Sequence, residues 1–205
     1  MNQTPASFSP SCTLDQWFSS DKQLHHLYPP SIRSLAARHF TPLEISKRVV
    51  DFLAPEKKLK VLDIGSGAGK FCLAAAYYKP LVNFFGVEQR KHLVAHAETA
   101  KSILGIKNVH FLHQNITQLD FTQFDHFYFY NSFYENLNDM EKIDDSVSCS
   151  PHLYNYYNRC LYKKLENLPA GTRLATFHTI SNKIPPNFHL IEEHVGELLK
   201  FWMKF

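Results

Sequence analysis

The feature that most constrains this chain is the run Val61-Leu-Asp-Ile-Gly65-Ser-Gly67-Ala-Gly69-Lys70. Lys60–Ile64 reads as a buried strand, and the apolar stretch Lys70–Tyr78 reads as a helix. Three glycines at alternate positions join them. Glycine is needed where backbone must take positive φ or where another group must approach the main chain closely. A strand that enters a helix through such a turn is the opening of a βαβ unit. The free amides and the helix dipole then favour an anionic ligand group at the turn. Gly86-Val87-Glu88 follows at the end of a second strand, with Glu88 placed 21 positions beyond Gly67. A carboxylate there can accept hydrogen bonds from both hydroxyls of a ribose.

The rest of the chain fits this opening. The segment 1–20 is rich in Ser, Pro and Thr, with Phe8, Leu14, Trp17 and Phe18 as anchors. It reads as a frayed tail or as a capping arm. A helix is expected over Ser31–His39. Another starts at Thr41-Pro42-Leu43-Glu44, read as a capping box with Pro at the first helical position. Strands are expected at Asn83–Val87, Val109–His113, His126–Tyr130 and Thr172–Phe177, and helices at His92–Leu104 and Pro151–Asn167. Phe188–His194 and Leu198–Lys204, split by Gly196, read as a hairpin. Alternating β and α units predict an α/β fold with a mostly parallel sheet covered on both faces. The expected division is an N-terminal extension over 1–40, a cap or substrate arm, and a ligand-binding domain over 41–205.

The order Asp-x-Gly-x-Gly-x-Gly with a later acidic residue resembles the first motifs of class I S-adenosylmethionine-dependent methyltransferases. That resemblance implies a Rossmann-like three-layer sandwich of seven strands, order 3-2-1-4-5-7-6, with strand 7 antiparallel. It implies S-adenosylmethionine as cofactor. Asp63 would order the turn, Gly65, Ser66 and Gly67 would border the methionine part, and Glu88 would hold the ribose. After the third strand, Asn115 would meet the adenine amine while Ile116 packs on the ring. The competing nicotinamide fingerprint wants glycine where Lys70 stands.

After the fourth strand comes Asn131-Ser-Phe133-Tyr134-Glu135-Asn136. In doubly wound sheets ligands bind beyond the carboxyl ends of the strands, between strands one and four. Asn131 and Tyr134 are therefore the candidate catalytic residues, and Asn131 also faces the cofactor. Asn-x-x-Tyr resembles the Asn-Pro-Pro-Tyr motif of enzymes that methylate exocyclic or amide nitrogens, with Ser132 and Phe133 replacing both prolines. His39-Phe40-Thr41-Pro42 is similar to the Phe-x-Pro cofactor motif of some adenine methyltransferases. Asn131-Ser-Phe133 resembles the Asn-Asn-Phe stretch of non-SET histone lysine methyltransferases. These comparisons point to transfer onto nitrogen of a small molecule, protein or RNA. Loss of catalysis, leaving a cofactor-binding scaffold or regulator, is the alternative, and a nicotinamide oxidoreductase is a further one.

Other signals exclude more than they assign. The formal charge of +3 and the lack of a basic stripe speak against sequence-specific DNA binding. Four cysteines without short paired spacing indicate neither a zinc ribbon nor a disulfide framework. His92 and His96 stand at i, i+4 but lack an acidic third ligand, so no metal site is assigned. No apolar stretch approaches the roughly 20 residues that span a bilayer, and a cytoplasmic protein is expected. The acidic stretch 135–145 is either a lid or a solvated loop, and Glu135 a candidate proton acceptor.

Overall fold

The computed structural model describes residues 13–138, 142–179 and 181–205. Seven strands form one sheet: β1 (Lys60–Ile64), β2 (Asn83–Glu88), β3 (Val109–His113), β4 (His126–Phe129), β5 (Arg173–Phe177), β6 (Phe188–His194) and β7 (Leu199–Lys204). Their order is β3-β2-β1-β4-β5-β7-β6, as the resemblance implies. β1 pairs in parallel with β2 and β4, whereas β7 is antiparallel to β5 and β6. The hairpin turn runs through Val195, Gly196 and Glu197, all at positive φ.

Strand alternation divides the core between the two faces of the sheet. Val61 and Tyr128 face one side, with α5 (Leu43–Leu53), α6 (Lys70–Tyr78) and α7 (Lys91–Leu104). Leu62, Ile64, Phe127 and Phe129 face the other side, against α8 (Pro151–Glu166). Every residue of α6 from Lys70 to Ala76 is buried. A helix that is apolar nearly all round belongs inside a protein, and here the N-terminal segment covers its outer side. Phe18 stacks on Tyr77 at 4.2 Å, and Tyr77 donates to Asp15 at 2.9 Å. Trp17 and Phe18 are buried anchors, Leu14 is exposed, and Phe8 lies outside the described residues.

That segment forms α1 (Leu14–Trp17), α2 (Asp21–His25), α3 (Pro30–Arg33) and α4 (Ala36–His39). The single helix expected over Ser31–His39 is thus two. Ser34 follows α3 as its C-cap, and its hydroxyl bonds the Ser31 carbonyl at 2.7 Å, a local bond that competes with helix continuation. The capping box at Thr41 is also corrected. Pro42 is the N-cap of α5 without a side-chain cap, and the Thr41 hydroxyl bonds the Tyr128 hydroxyl at 2.9 Å. A tertiary partner 87 residues away replaces the local one. The capping box present among the described residues is Thr13 with Gln16, at α1.

Candidate cofactor and acceptor site

The carboxyl ends of β1, β2 and β4 open into a cavity of about 560 Å³, within the range of ligand pockets. β1 lies between β2 and β4, so the chain turns in opposite directions from it, and a crevice forms at that point. Asp63, Gly65, Ser66, Gly67, Glu88, Asn115, Ile116, Asn131 and Tyr134 all line this one cavity.

The turn is pinned to the neighbouring strand: Gly65 and Ser66 amides both donate to the Val87 carbonyl, at 2.9 and 3.0 Å. Its glycines serve different ends. A Cβ at Gly65 would stand 2.4 Å from Ser132, and one at Gly69 would stand 2.5 Å from Phe111. Both are packing requirements. A Cβ at Gly67 would meet nothing within 4 Å, so there the bare backbone leaves open space for a ligand. The Ser66 hydroxyl is buried without a hydrogen-bond partner among the described residues, and buried polar groups normally have one. The Glu88 carboxylate accepts from Gly67 N at 3.1 Å and from Arg90 N at 2.8 Å. Burial raises its pKa, while Arg90 and the two amides pull it down. Asp63 is wholly buried. Its pKa rises to about 7, chiefly through burial, although the Cys72 thiol donates to it. No bond from Asp63 to the turn amides is present, so any ordering of the turn passes through its position rather than through such a bond.

Asn115 lines the cavity with its amide engaged. Nδ2 donates to Gln89 and to Tyr157, each at 3.1 Å, and Oδ1 accepts from Thr117 N at 3.0 Å. The remaining Oδ1 lone pair is what it offers to a ligand amine. Beyond β4, Tyr134 N donates to the Asn131 carbonyl at 3.0 Å, closing a turn in which Asn131 has φ +36°. Ser132 donates to the Ile64 carbonyl at 2.7 Å and so ties this turn to the end of β1. Phe133 is buried between Phe129 and Tyr157, and Tyr134 stays 43% exposed at the mouth.

Two buried cations have roles that the sequence did not assign. Lys70 has its ammonium against the Asp21 carboxylate and donates to the Thr41 carbonyl at 2.7 Å. It thereby holds the N-terminal segment against the glycine turn. Arg90, 3% exposed, donates to both oxygens of Glu135 at 3.0 and 2.7 Å and to Asp144 at 3.1 Å. Glu135 is therefore paired in the interior and is no free proton acceptor. Asp144 also meets His92 at 2.9 Å. The acidic stretch is thus bound at Glu135 and Asp144, while Asp139 and Glu141 lie outside the described residues. A lone arginine after Glu88, facing an acidic stretch of unassigned partners, was the available signal. Among the described residues no group of three His, Cys, Asp or Glu is arranged to hold a metal ion, and no helix is long and apolar enough to cross a membrane.

Residues 55–153 match the family model described as a methyltransferase domain. A methyltransferase domain is thus matched over just under half of the chain. Its cofactor is S-adenosylmethionine, and the open Gly67 backbone, the unpartnered Ser66 hydroxyl and Glu88 fit that ligand's polar groups. Among curated proteins, a tRNA (guanine-N(7)-)-methyltransferase of Synechococcus sp. (strain JA-3-3Ab) is 53% identical over 55 residues, which are 27% of this chain and 23% of that protein. The namesake from Trichormus variabilis is 36% identical over 84 residues, 41% of this chain and 39% of that protein. The chain thus spans well under half the length of these relatives. Among solved structures, TrmN from Thermus thermophilus superposes with a TM-score of 0.59 at 18% identity, over 85% of this chain and 52% of that one. A SAM-dependent methyltransferase from Aquifex aeolicus superposes with a TM-score of 0.55 at 17% identity, over 87% of this chain and 100% of that one. These two likenesses concern the fold of the methyltransferase domain.

Proposed function

We propose that this protein transfers a methyl group from S-adenosylmethionine to a nitrogen acceptor, with RNA as its substrate class. The observation that carries the reading is the meeting of the glycine turn, Glu88 and Asn131 in one cavity at the ends of β1, β2 and β4. When bound, the cofactor supplies a methyl group on a sulfonium, whose departing thioether needs no protonation. The chain has then to align the acceptor and exclude water, and positioning of this kind contributes about 7–11 kcal/mol.

Glu88 would take the ribose hydroxyls and Ile116 one face of the adenine, with the Oδ1 of Asn115 toward its amine. The turn from Gly65 to Gly67, with the Ser66 hydroxyl, would receive the methionine part beside Asp63. Asn131 would orient the acceptor nitrogen through its amide, and Tyr134 at the mouth would stack on an acceptor base. The segment 13–40 acts as a cap, since Ala37 to Thr41 form part of the cavity wall. RNA as substrate is supported by the names of the curated relatives, and a mouth lined by tyrosines suits base stacking.

The test is calorimetry of the protein with S-adenosylmethionine, S-adenosylhomocysteine and NAD, repeated on Glu88→Ala. Binding of the first two, lost in the variant, is the expected result. Binding of NAD alone, or of nothing, would end this reading. Labelled methyl transfer to unfractionated tRNA and rRNA then examines the acceptor. Asn131→Ala should keep cofactor affinity and lose transfer.

A further inference from the structure

Two of the described non-glycine residues with positive φ stand side by side in the cavity. Asn131 (φ +36°) lies two residues beyond the paired position Phe129–Thr176 on β4, and His178 (φ +54°) lies two residues beyond it on β5. Such backbone is costly for residues with a side chain, and it concentrates at functional sites. The His178 amide donates to the Leu198 carbonyl at 2.8 Å, which fixes the turn that carries it. Its ring stacks on Tyr130 at 5.5 Å and meets the edge of Phe177 at 4.3 Å. Tyr130 is itself held, since its hydroxyl donates to the Arg38 carbonyl at 3.0 Å. The imidazole is therefore oriented by packing, while neither ring nitrogen has a hydrogen-bond or ion-pair partner among the described residues. It lines the same cavity as Asn131 and is exposed enough to exchange protons with water.

Resting on the methyl-transfer reading above, we propose that His178 accepts the proton of an N–H acceptor during transfer, so that the substrate nitrogen is one that carries a hydrogen. As the acceptor lone pair forms the new N–C bond, the C–S bond breaks and its electron pair stays on sulfur. The acceptor nitrogen is left with one proton too many. That proton passes to the free ring nitrogen of His178 and from there to water, so charge and atoms balance. Partial burial lowers the pKa of His178 below the ordinary histidine value, which leaves the ring neutral and able to accept at pH 7. Among the rings packed on it, Tyr130 is titratable, and burial is the cause of the shift. Arg38, His39, Asp63, Lys70, Glu88, Arg90 and Glu135 are the other titratable or charged groups that line the same cavity. Glu135, the sequence-based candidate for this role, is occupied by Arg90. The choice of acceptor matters: ring N7 of guanine carries no hydrogen and needs no base, whereas an exocyclic amine, a ring N–H or an alkylamine does.

The experiment has a binding arm and a transfer arm. In the first, ring ¹⁵N signals of His178 are titrated by NMR with saturating sinefungin or with saturating S-adenosylhomocysteine. Sinefungin places a charged amine where the transferable methyl group would be. It should lower the His178 pKa by about half a pH unit or more relative to S-adenosylhomocysteine. Equal titration with both ligands bound would remove His178 from the reaction centre. Failure of both ligands to bind would bring down the methyl-transfer reading, and this one with it. In the second arm, His178→Asn keeps a residue that tolerates positive φ but cannot take the proton. With tRNA as the probe, transfer at pH 7 should fall about 10²–10⁴-fold, with sinefungin affinity unchanged and the acidic limb of the pH profile abolished. Formation of N7-methylguanosine at an undiminished rate by this variant would overturn the proposal.

Discussion

Replacing Arg90 by methionine examines how the acceptor loop is held. The guanidinium grips both oxygens of Glu135 at 3.0 and 2.7 Å, and its Nε reaches Asp144 at 3.1 Å. The side chains of Arg90 and Glu135 are 2% and 8% exposed, so neither charge is relieved by solvent. Methionine fills most of the volume but leaves the Glu135 carboxylate without its cation. Breaking a buried pair from one side costs about 3–5 kcal/mol. The Asp144 contact adds little, because that side chain is 30% exposed and screened. In a domain of this size each kcal/mol lowers the melting temperature by about 2–4 °C, so Arg90→Met should melt about 6–20 °C below the wild type. Glu88 supplies a pH signature. Burial raises its pKa and Arg90 is among the groups opposing that rise, so without Arg90 its folded pKa climbs further above the unfolded value of about 4.3. A carboxyl whose pKa is raised by folding stabilises in its protonated form, and that contribution is lost as pH rises through the folded pKa. The gap between variant and wild type should therefore widen from pH 5 to pH 8 in calorimetric melts. A variant within about 3 °C of the wild type at pH 8 would refute the account of Arg90 as the buried anchor of the loop.

The glycines of the turn should separate stability from binding. Gly65→Ala, with its Cβ 2.4 Å from Ser132 and φ at +77°, should unfold the turn and lower denaturant midpoints strongly. Gly67→Ala should cost only about 1–2 kcal/mol for its left-handed backbone, yet weaken S-adenosylhomocysteine binding in calorimetry, since the new methyl stands in open cavity. Asp63, at a pKa of about 7, should destabilise the wild type as pH climbs from about 4 through 7, on the order of 4 kcal/mol once fully ionised. Asp63→Asn should flatten that slope in urea titrations at pH 5 and 8, and an unchanged slope would show that the carboxyl is as ionised in the folded protein as in the unfolded chain. Thr41→Val should lose about 1–3 kcal/mol by stranding the buried Tyr128 hydroxyl, measurable by chemical denaturation.

The strands and long helices were legible because their signals are local. Lys60–Ile64, Lys70–Tyr78 and Val109–His113 appear at the expected bounds, and most of the others shift by a residue at their ends. The N-terminal segment was less legible. Four short helices with little periodicity stand there, of which α1 and α2 bond α6 through Asp15 and Asp21, and Ser34 and Thr41 each bond elsewhere than a helix start or continuation would require. At the site, the glycines and Glu88 carry a recognisable spacing. Asn115 does not announce that its amide will be engaged by Gln89 and Tyr157, both remote in sequence.

By itself the sequence determined the α/β class, because glycine φ and hydrophobic period act over a few residues, while the strand order and most of the nine residues that share one cavity came from the family resemblance. Tertiary structure decided the rest. Arg90 and Lys70 acquire their meaning from carboxylates 45 and 49 positions away, and His178 from the Tyr130 ring just beyond the neighbouring strand. A buried charge is determined by whatever the fold brings within a few ångströms of it, and no local spacing encodes that.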